Sequence, residues 1–309
     1  MNPPLTPAPE PERKRRGRPQ AVRLLPSVIT ILALSAGLSA VKFALDGELG
    51  TALGMIGAAA VLDSLDGRIA RLLDATSKIG AELDSLSDAI SFGVAPALVL
   101  YVTLLDVSAF GWIITLLYAV SMVLRLARFN TLLEDDSVPA YAREYFVGVP
   151  APAGALVALA PVAAFIQWGD GWWASYPAVA VWTLLTASLV VSTIPTLAMK
   201  SVSVPPRLAV VLLFLVALAA AALVTYPYVL MLVLVGAYLA HIPFAVRSKR
   251  WVAARPETWD IKPSERRAIR AENRAQRPRR VVIRRAAAPR GSFLGAPGAA
   301  TPSRTVSTL

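Results

Sequence analysis

Four aspartates set the chemistry this chain could do. Asp63 and Asp66 lie three residues apart in one apolar stretch, and Asp84 and Asp88 lie four apart at the start of the next. On helices these intervals put each pair on one face, with Gly67, Ala70 and Arg71 beside the first pair and Gly80 one turn ahead of the second. An antiparallel packing of the two helices brings all four carboxylates together. Each charged Asp at the centre of a membrane helix costs about 2.5–3.5 kcal/mol on insertion scales, so acids placed there are functional candidates. Four converging carboxylates also repel one another unless cations join them. Arg71 offers only one positive charge. With oxygen ligands alone, and no cysteine in the chain, the set favours hard divalent ions such as Mg²⁺ or Mn²⁺. Gly67 and Ala70 leave the helix surface bare enough for a flat base or a phosphate to approach the backbone, and Gly80 does the same from the opposite helix. Each glycine alone is equally well read as a packing device between membrane helices.

The elements that must position these residues are membrane helices. Of 309 residues 56% are hydrophobic, and only 17% are charged, against roughly 25% in soluble globular chains. The apolar residues come in blocks of about 20, the length that crosses a hydrocarbon core. Eight spans are expected, at about 24–45, 49–73, 86–105, 109–130, 152–168, 175–199, 208–225 and 227–245, making an all-α, polytopic transmembrane bundle. The connections "LDGELG", "LLDVSAF", "QWGDGWWASY" and "VTYPY" carry no Lys or Arg. The connections on the other side, "RIARLLDATSK", "RLARFN" and "MKSVSVPPR", are basic, as are the flanking runs "RKRRGR" and "RSKR". The positive-inside rule then places both termini, and the aspartate cluster, on the cytoplasmic side of the cell membrane. Trp168, Trp172 and Trp173 fall at the outer interface.

Three regions follow: a basic, Pro-rich N-terminal tail (1–21), a membrane-embedded domain (22–247) and a basic C-terminal tail (248–309), expected to be disordered. Residues 246–309 hold sixteen Lys/Arg against four acidic residues, a composition suited to contact with anionic lipid. Nucleic acid is not an expected partner, because no aromatic platform or recognised fold accompanies the charge. The single histidine, His241, is read as an interfacial residue without chemistry.

The run D-x-x-D-G-x-x-A-R-x8-G-x-x-x-D-x-x-x-D is met in full by Asp63, Asp66, Gly67, Ala70, Arg71, Gly80, Asp84 and Asp88. It resembles the signature of the CDP-alcohol phosphatidyltransferase family. The resemblance implies that these helices bind two divalent ions, through Asp63, Asp66, Asp84 and Asp88, and the CDP pyrophosphate, and that Asp88 is the general base that activates the acceptor alcohol. Ser77, and Ser27 and Thr30 in "PSVIT", resemble positions that touch the CDP moiety; their plainer readings are a loop serine and helix capping or packing. The resemblance also implies a homodimer.

Four further stretches resemble the phosphatidylserine synthase branch: "DAISFGVAPA" (88–97), "RLARFN" (125–130), "YFVGVPAPAGA" (145–155) and "STIPTLAMKS" (192–201). They imply CDP-diacylglycerol and L-serine as substrates, with phosphatidylserine and CMP as products. Arg125 and Arg128 are then candidates to hold the serine carboxylate or a phosphate. Other acceptors (glycerol 3-phosphate, inositol phosphate, choline) and an archaeal-type lipid backbone remain alternatives. A cation-coupled transporter would spread carboxylates along a path through several spans, whereas here they cluster on two.

Overall fold

The computed structural model describes residues 20–75, 77–134, 145–197 and 206–254, together with Glu265. Of the two expected tails, only residues 20–21, 248–254 and Glu265 are among these. The chain divides into two compact units, Met1–Arg266 and Arg267–Leu309, and every described residue belongs to the first.

Nine helices carry the described residues. They are α1 (Gln20–Leu45), α2 (Leu49–Leu72), α3 (Lys78–Leu105), α4 (Ala109–Glu134), α5 (Ala151–Ala158), α6 (Ala160–Trp168), α7 (Tyr176–Val191), α8 (Pro206–Thr225) and α9 (Pro227–Ala253). The protein is a helical membrane protein. Five of its helices are long and apolar enough to cross a bilayer, and a sixth crossing arises if α5 and α6, bent by 40°, count as one. This is fewer than the eight expected spans. All eight apolar blocks are helical, but α7 and the Val210–Thr225 stretch of α8 each offer fewer than 18 residues. The expected span 175–199 stops at Val191 because Ser192 turns extended (φ −60°, ψ 157°).

The chain is also not purely α. Strand β1 (Tyr145–Val147) pairs antiparallel with β2 (Pro195–Leu197), joining two connections that lie far apart in the sequence. Three-residue strands leave no periodic signal, so the pairing was absent from the all-α expectation.

Two prolines shape the interior, each by the same logic. A proline within a helix lacks an N–H and crowds the carbonyl four residues back. In α3, Pro96 follows a π-helical turn over Ala89–Val94, and the Phe92 carbonyl four residues earlier accepts instead from the fully buried Tyr118 hydroxyl of α4 at 3.0 Å. At the α5–α6 bend, Pro161 leaves the Val157 carbonyl free, and the Trp182 indole N–H of α7 donates to it at 2.7 Å. Both carbonyls sit among apolar side chains where water is absent, so the donors satisfy groups that would otherwise be costly.

Around this interior α1 lies along α2 and also meets α3, while α4 packs on α7. The approach of α1 to α3 is close. A Cβ on Gly37 would stand 2.6–2.8 Å from the Oγ, Cα and Cβ of Ser91, so only glycine admits the π-helical turn there. Small residues serve this purpose where helices have no hydrophobic drive to associate. On the lipid-facing side α8 is exposed along most of its length, including Val210, Leu213, Phe214 and Val224.

Candidate active site

The turn between α2 and α3 sets the two aspartate pairs against each other. α2 ends with Asp74 in the left-handed region (φ 51°), the Ala75 N–H bonding back to the Ala70 carbonyl at 2.9 Å and the Asp74 N–H to the Arg71 carbonyl at 3.4 Å. This is the double-bonded helix end that usually takes glycine, here made by an aspartate, one of the few residues that tolerate the conformation. α3 then starts with Ser77 as its cap, the hydroxyl accepting from the Gly80 N–H at 3.0 Å. Ser77 is therefore a helix cap rather than an ordinary loop serine, and it also lines a cavity. The cap starts α3 at Lys78, eight residues before the expected span, and so includes Asp84 in the helix.

Asp63, Asp66 and Asp84 each offer a carboxylate oxygen within 4.8 Å of the others. Asp66 is buried and Asp63 and Asp84 are half-buried. Asp88 approaches Asp63 from α3 to within hydrogen-bonding range. All four carboxylates thus converge, as the spacing required. One oxygen of Asp84 is buried with no hydrogen-bond partner. A buried carboxylate oxygen without a donor, in a cluster of like charge and oxygen-only donors, is the arrangement a hard divalent cation completes. The residues present therefore fit the divalent ions that the motif implies.

α1 supports this cluster by hydrogen bonds. The Thr30 hydroxyl donates to Asp66 Oδ2 at 2.7 Å, with the Pro26 carbonyl 3.1 Å away, and the Ser87 hydroxyl of α3 reaches the Thr30 carbonyl at 3.3 Å. Thr30 thus orients a carboxylate as well as lining the cavity, a role the sequence did not disclose. On the other flank the Asn130 amide of α4 donates to the Ser85 hydroxyl at 2.9 Å, next to Asp84.

Beside the carboxylates lies a cavity of about 220 Å³. Asp66 and Asp84 form one wall. The glycine-rich surface predicted for the nucleotide, Gly67, Ala70, Arg71 and Gly80, lines it too, together with Ser27, Thr30 and Ser77. Pro26, Ala75 and Ala81 also line it; sequence reasoning did not single them out, and small apolar residues carry no signal that could have done so. A Cβ at Gly67 would meet no protein atom within 4 Å, so this glycine is not required by helix packing.

The two arginines of α4 separate. Arg125, only 8% exposed, is not among the residues that line the cavity; it lies within electrostatic reach of Asp88 and Asp63 and over the Phe129 ring at 5.4 Å. Its Nε has no hydrogen-bond partner. Arg128 instead donates to the Val191 carbonyl at the end of α7. His241 is exposed on α9 and is not among the residues that line the cavity.

A membrane-embedded helical bundle with a carboxylate cluster abutting a glycine-lined cavity fits a metal-dependent class of membrane enzyme. Comparison with known proteins gives the family. The family model for CDP-alcohol phosphatidyltransferases matches residues 23–194, more than half of the chain. Over 273 residues the chain is 52% identical to the CDP-diacylglycerol–serine O-phosphatidyltransferase of Mycobacterium tuberculosis, covering 88% of this chain and 96% of that protein. The enzyme of the same name from Mycobacterium leprae is 48% identical over 273 residues, 88% of this chain and 91% of that protein. The archaetidylserine synthase of Methanothermobacter thermautotrophicus is 35% identical over 137 residues, covering 43% of this chain and 54% of that protein. The chain belongs to the CDP-alcohol phosphatidyltransferase family.

Proposed function

We propose that the protein transfers a phosphatidyl group from CDP-diacylglycerol to L-serine, giving phosphatidylserine and CMP. The observation that carries this reading is the junction of the glycine-lined cavity with the four carboxylates: every residue expected to touch the CDP moiety lines the cavity, and Asp66 and Asp84 belong to both. Similarity to enzymes named for serine over almost the whole chain supports the acceptor.

In this reading Asp63, Asp66, Asp84 and Asp88 hold two divalent ions, Mg²⁺ or Mn²⁺. Such ions neutralise charge on the pyrophosphate and on the departing CMP. The chain's own part is positional. Gly67, Ala70 and Gly80 let the nucleotide come against the backbone, Arg71 adds a positive charge at the phosphates, and Thr30 keeps Asp66 in orientation. The acceptor enters from the α4 side, where Arg125 presents an unpartnered, buried Nε, a donor suited to the serine carboxylate. Asp88, close to Asp63 and within electrostatic reach of Arg125, takes the proton of the serine hydroxyl as that oxygen attacks the β-phosphate of the donor. Both substrates are held, and the attack converts a bimolecular step into an oriented one.

The topology proposed with it has eight crossings, both termini and the site at the cytoplasmic face of the cell membrane, and a catalytic domain over 22–247 between basic tails of 1–21 and 248–309. One-sided basic connections support this arrangement. Family resemblance supports a homodimer, and composition supports contact of the C-terminal tail with anionic lipid.

The test is CMP release by the purified protein from CDP-diacylglycerol with Mg²⁺ or Mn²⁺, with L-serine, glycerol 3-phosphate, inositol phosphate and choline offered in parallel. Release that depends on serine is expected. Release with another alcohol would keep the family and change the acceptor.

A further inference from the structure

Three of the four stretches that resemble the serine branch meet at one place, and nothing in the eight-residue signature predicts it. Strand β1 lies in "YFVGVPAPAGA" and pairs with β2 in "STIPTLAMKS". Just beyond the pairing the Gly148 N–H donates to the Ile194 carbonyl at 3.0 Å, extending the contact. Arg128, in "RLARFN", donates to the Val191 carbonyl three residues before Ile194, at the end of α7 where carbonyls lack intrahelical partners. The two connections and α4 therefore form one clasp.

Its position bears on the acceptor. Arg128 is one helical turn beyond Arg125 on α4, about 4.5 Å along the axis. The clasp is thus tied to the helix that carries the buried guanidinium within electrostatic reach of Asp88 and Asp63. From the other side, β2 packs against α9, the helix whose Tyr238 is also within electrostatic reach of Arg125. None of these parts lines the nucleotide cavity. The family model ends at residue 194, so β2 and α9 lie outside what that whole family shares. A 273-residue match in a 309-residue chain necessarily includes them, so the mycobacterial relatives named for serine share them.

The clasp is also demanding of its residues. Gly148 has φ 80°, and a Cβ there would stand 2.9 Å from both the Val190 and the Ser192 carbonyl oxygens. Any side chain at 148 forces β1 away from the end of α7.

We propose that this clasp selects the acceptor, with Arg128 and Gly148 as positioning residues: Arg128 docks the clasp on α4, Gly148 lets it close, and together they fix the wall against which Arg125 receives the acceptor. The proposal rests on the serine reading above and deepens it. It assigns Arg128 to the end of α7 rather than to the substrate.

The experiment compares full-length wild type, Arg128→Met, Arg128→Lys and Gly148→Ala in CMP release, with the KM for serine and the KM for CDP-diacylglycerol measured separately. Arg128→Met and Gly148→Ala should raise the KM for serine about tenfold or more while the KM for the donor stays within about twofold, because only one substrate depends on the clasp. Arg128→Lys, which keeps a donor, should restore part of the loss. Parallel movement of both KM values, or an unchanged KM for serine in both disruptive variants, would overturn the proposal. If Arg128→Met does not yield folded protein, Arg128→Lys and Gly148→Ala decide by the same ratio. Wild-type protein that uses a different alcohol would retire the serine reading instead, and the ratio would then be read with that alcohol.

Discussion

Gly67→Ala separates ligand contact from folding more cleanly than any other change in the site. Gly67 lies inside α2, lines the cavity, and has no protein atom within 4 Å of where a Cβ would stand. The added methyl therefore costs the folded protein nothing in clashes. Replacing an exposed helical glycine by alanine stabilises by about 0.8–1.0 kcal/mol through backbone entropy, so resistance to unfolding should rise slightly. The same methyl occupies space meant for the nucleotide. Forcing a methyl into a well-packed contact costs about 1–3 kcal/mol, which corresponds to about a 5- to 150-fold loss in affinity for CDP-diacylglycerol. The assay is serine-dependent CMP release at varied donor concentration, alongside thermal unfolding in detergent. A stable variant with a raised donor KM is expected. A variant as stable as wild type that keeps the wild-type donor KM would show that nothing approaches the backbone at Gly67, and the cavity would lose its assignment.

Other outcomes follow from the same geometry. Tyr118→Phe strips the donor from the Phe92 carbonyl that Pro96 leaves free, and should destabilise by about 1–3 kcal/mol with little change in substrate KM, read by unfolding in detergent. Gly37→Ala drives a Cβ into backbone and side-chain atoms of Ser91, one turn from Asp88, and should cost about 1–3 kcal/mol together with activity, whereas unchanged stability would mean that α1 and α3 are not in such close contact. Thr30→Val removes the hydroxyl that orients Asp66; activity should fall, more Mn²⁺ should be needed for half-maximal rate, and Thr30→Ser should recover most of both. Chelation with EDTA should abolish CMP release and excess Mg²⁺ or Mn²⁺ should restore it.

The aspartate cluster was legible because its information is periodic. Intervals of three and four fix faces on helices, and a short turn fixes their antiparallel meeting, so Asp63, Asp66, Asp84 and Asp88 could be brought together without coordinates. Gly67, Ala70, Arg71 and Gly80 shared those faces and line the cavity as expected. What stayed hidden is contact between elements distant in the chain. Nothing near Pro96 says that Tyr118 will serve the Phe92 carbonyl, and nothing near Pro161 names Trp182. The prolines announce a broken ladder but not the donor that mends it. The pairing of β1 with β2 escaped for the same reason, since residues 145–147 and 195–197 meet only after α7 has folded back. Arg125 and Arg128 looked equivalent because each reads as a basic residue at a helix end, and only burial and partners distinguish the one beside Asp88 from the one at Val191. Hydropathy marks how apolar a block is, so all eight blocks were legible, while the point where α7 stops, at Ser192, is set by backbone geometry.

The central claim is that the converged carboxylates hold ions against a lipid-linked pyrophosphate while Asp88 takes the acceptor's proton. Its most direct test is Asp88→Asn in the full-length protein, with serine-dependent CMP release and Mn²⁺-dependent binding of CDP-diacylglycerol measured on the same preparation. The account predicts that the variant, nearly isosteric and still an oxygen donor, binds the nucleotide lipid and does not turn it over. Turnover at the wild-type rate would contradict it and remove Asp88 from the chemistry.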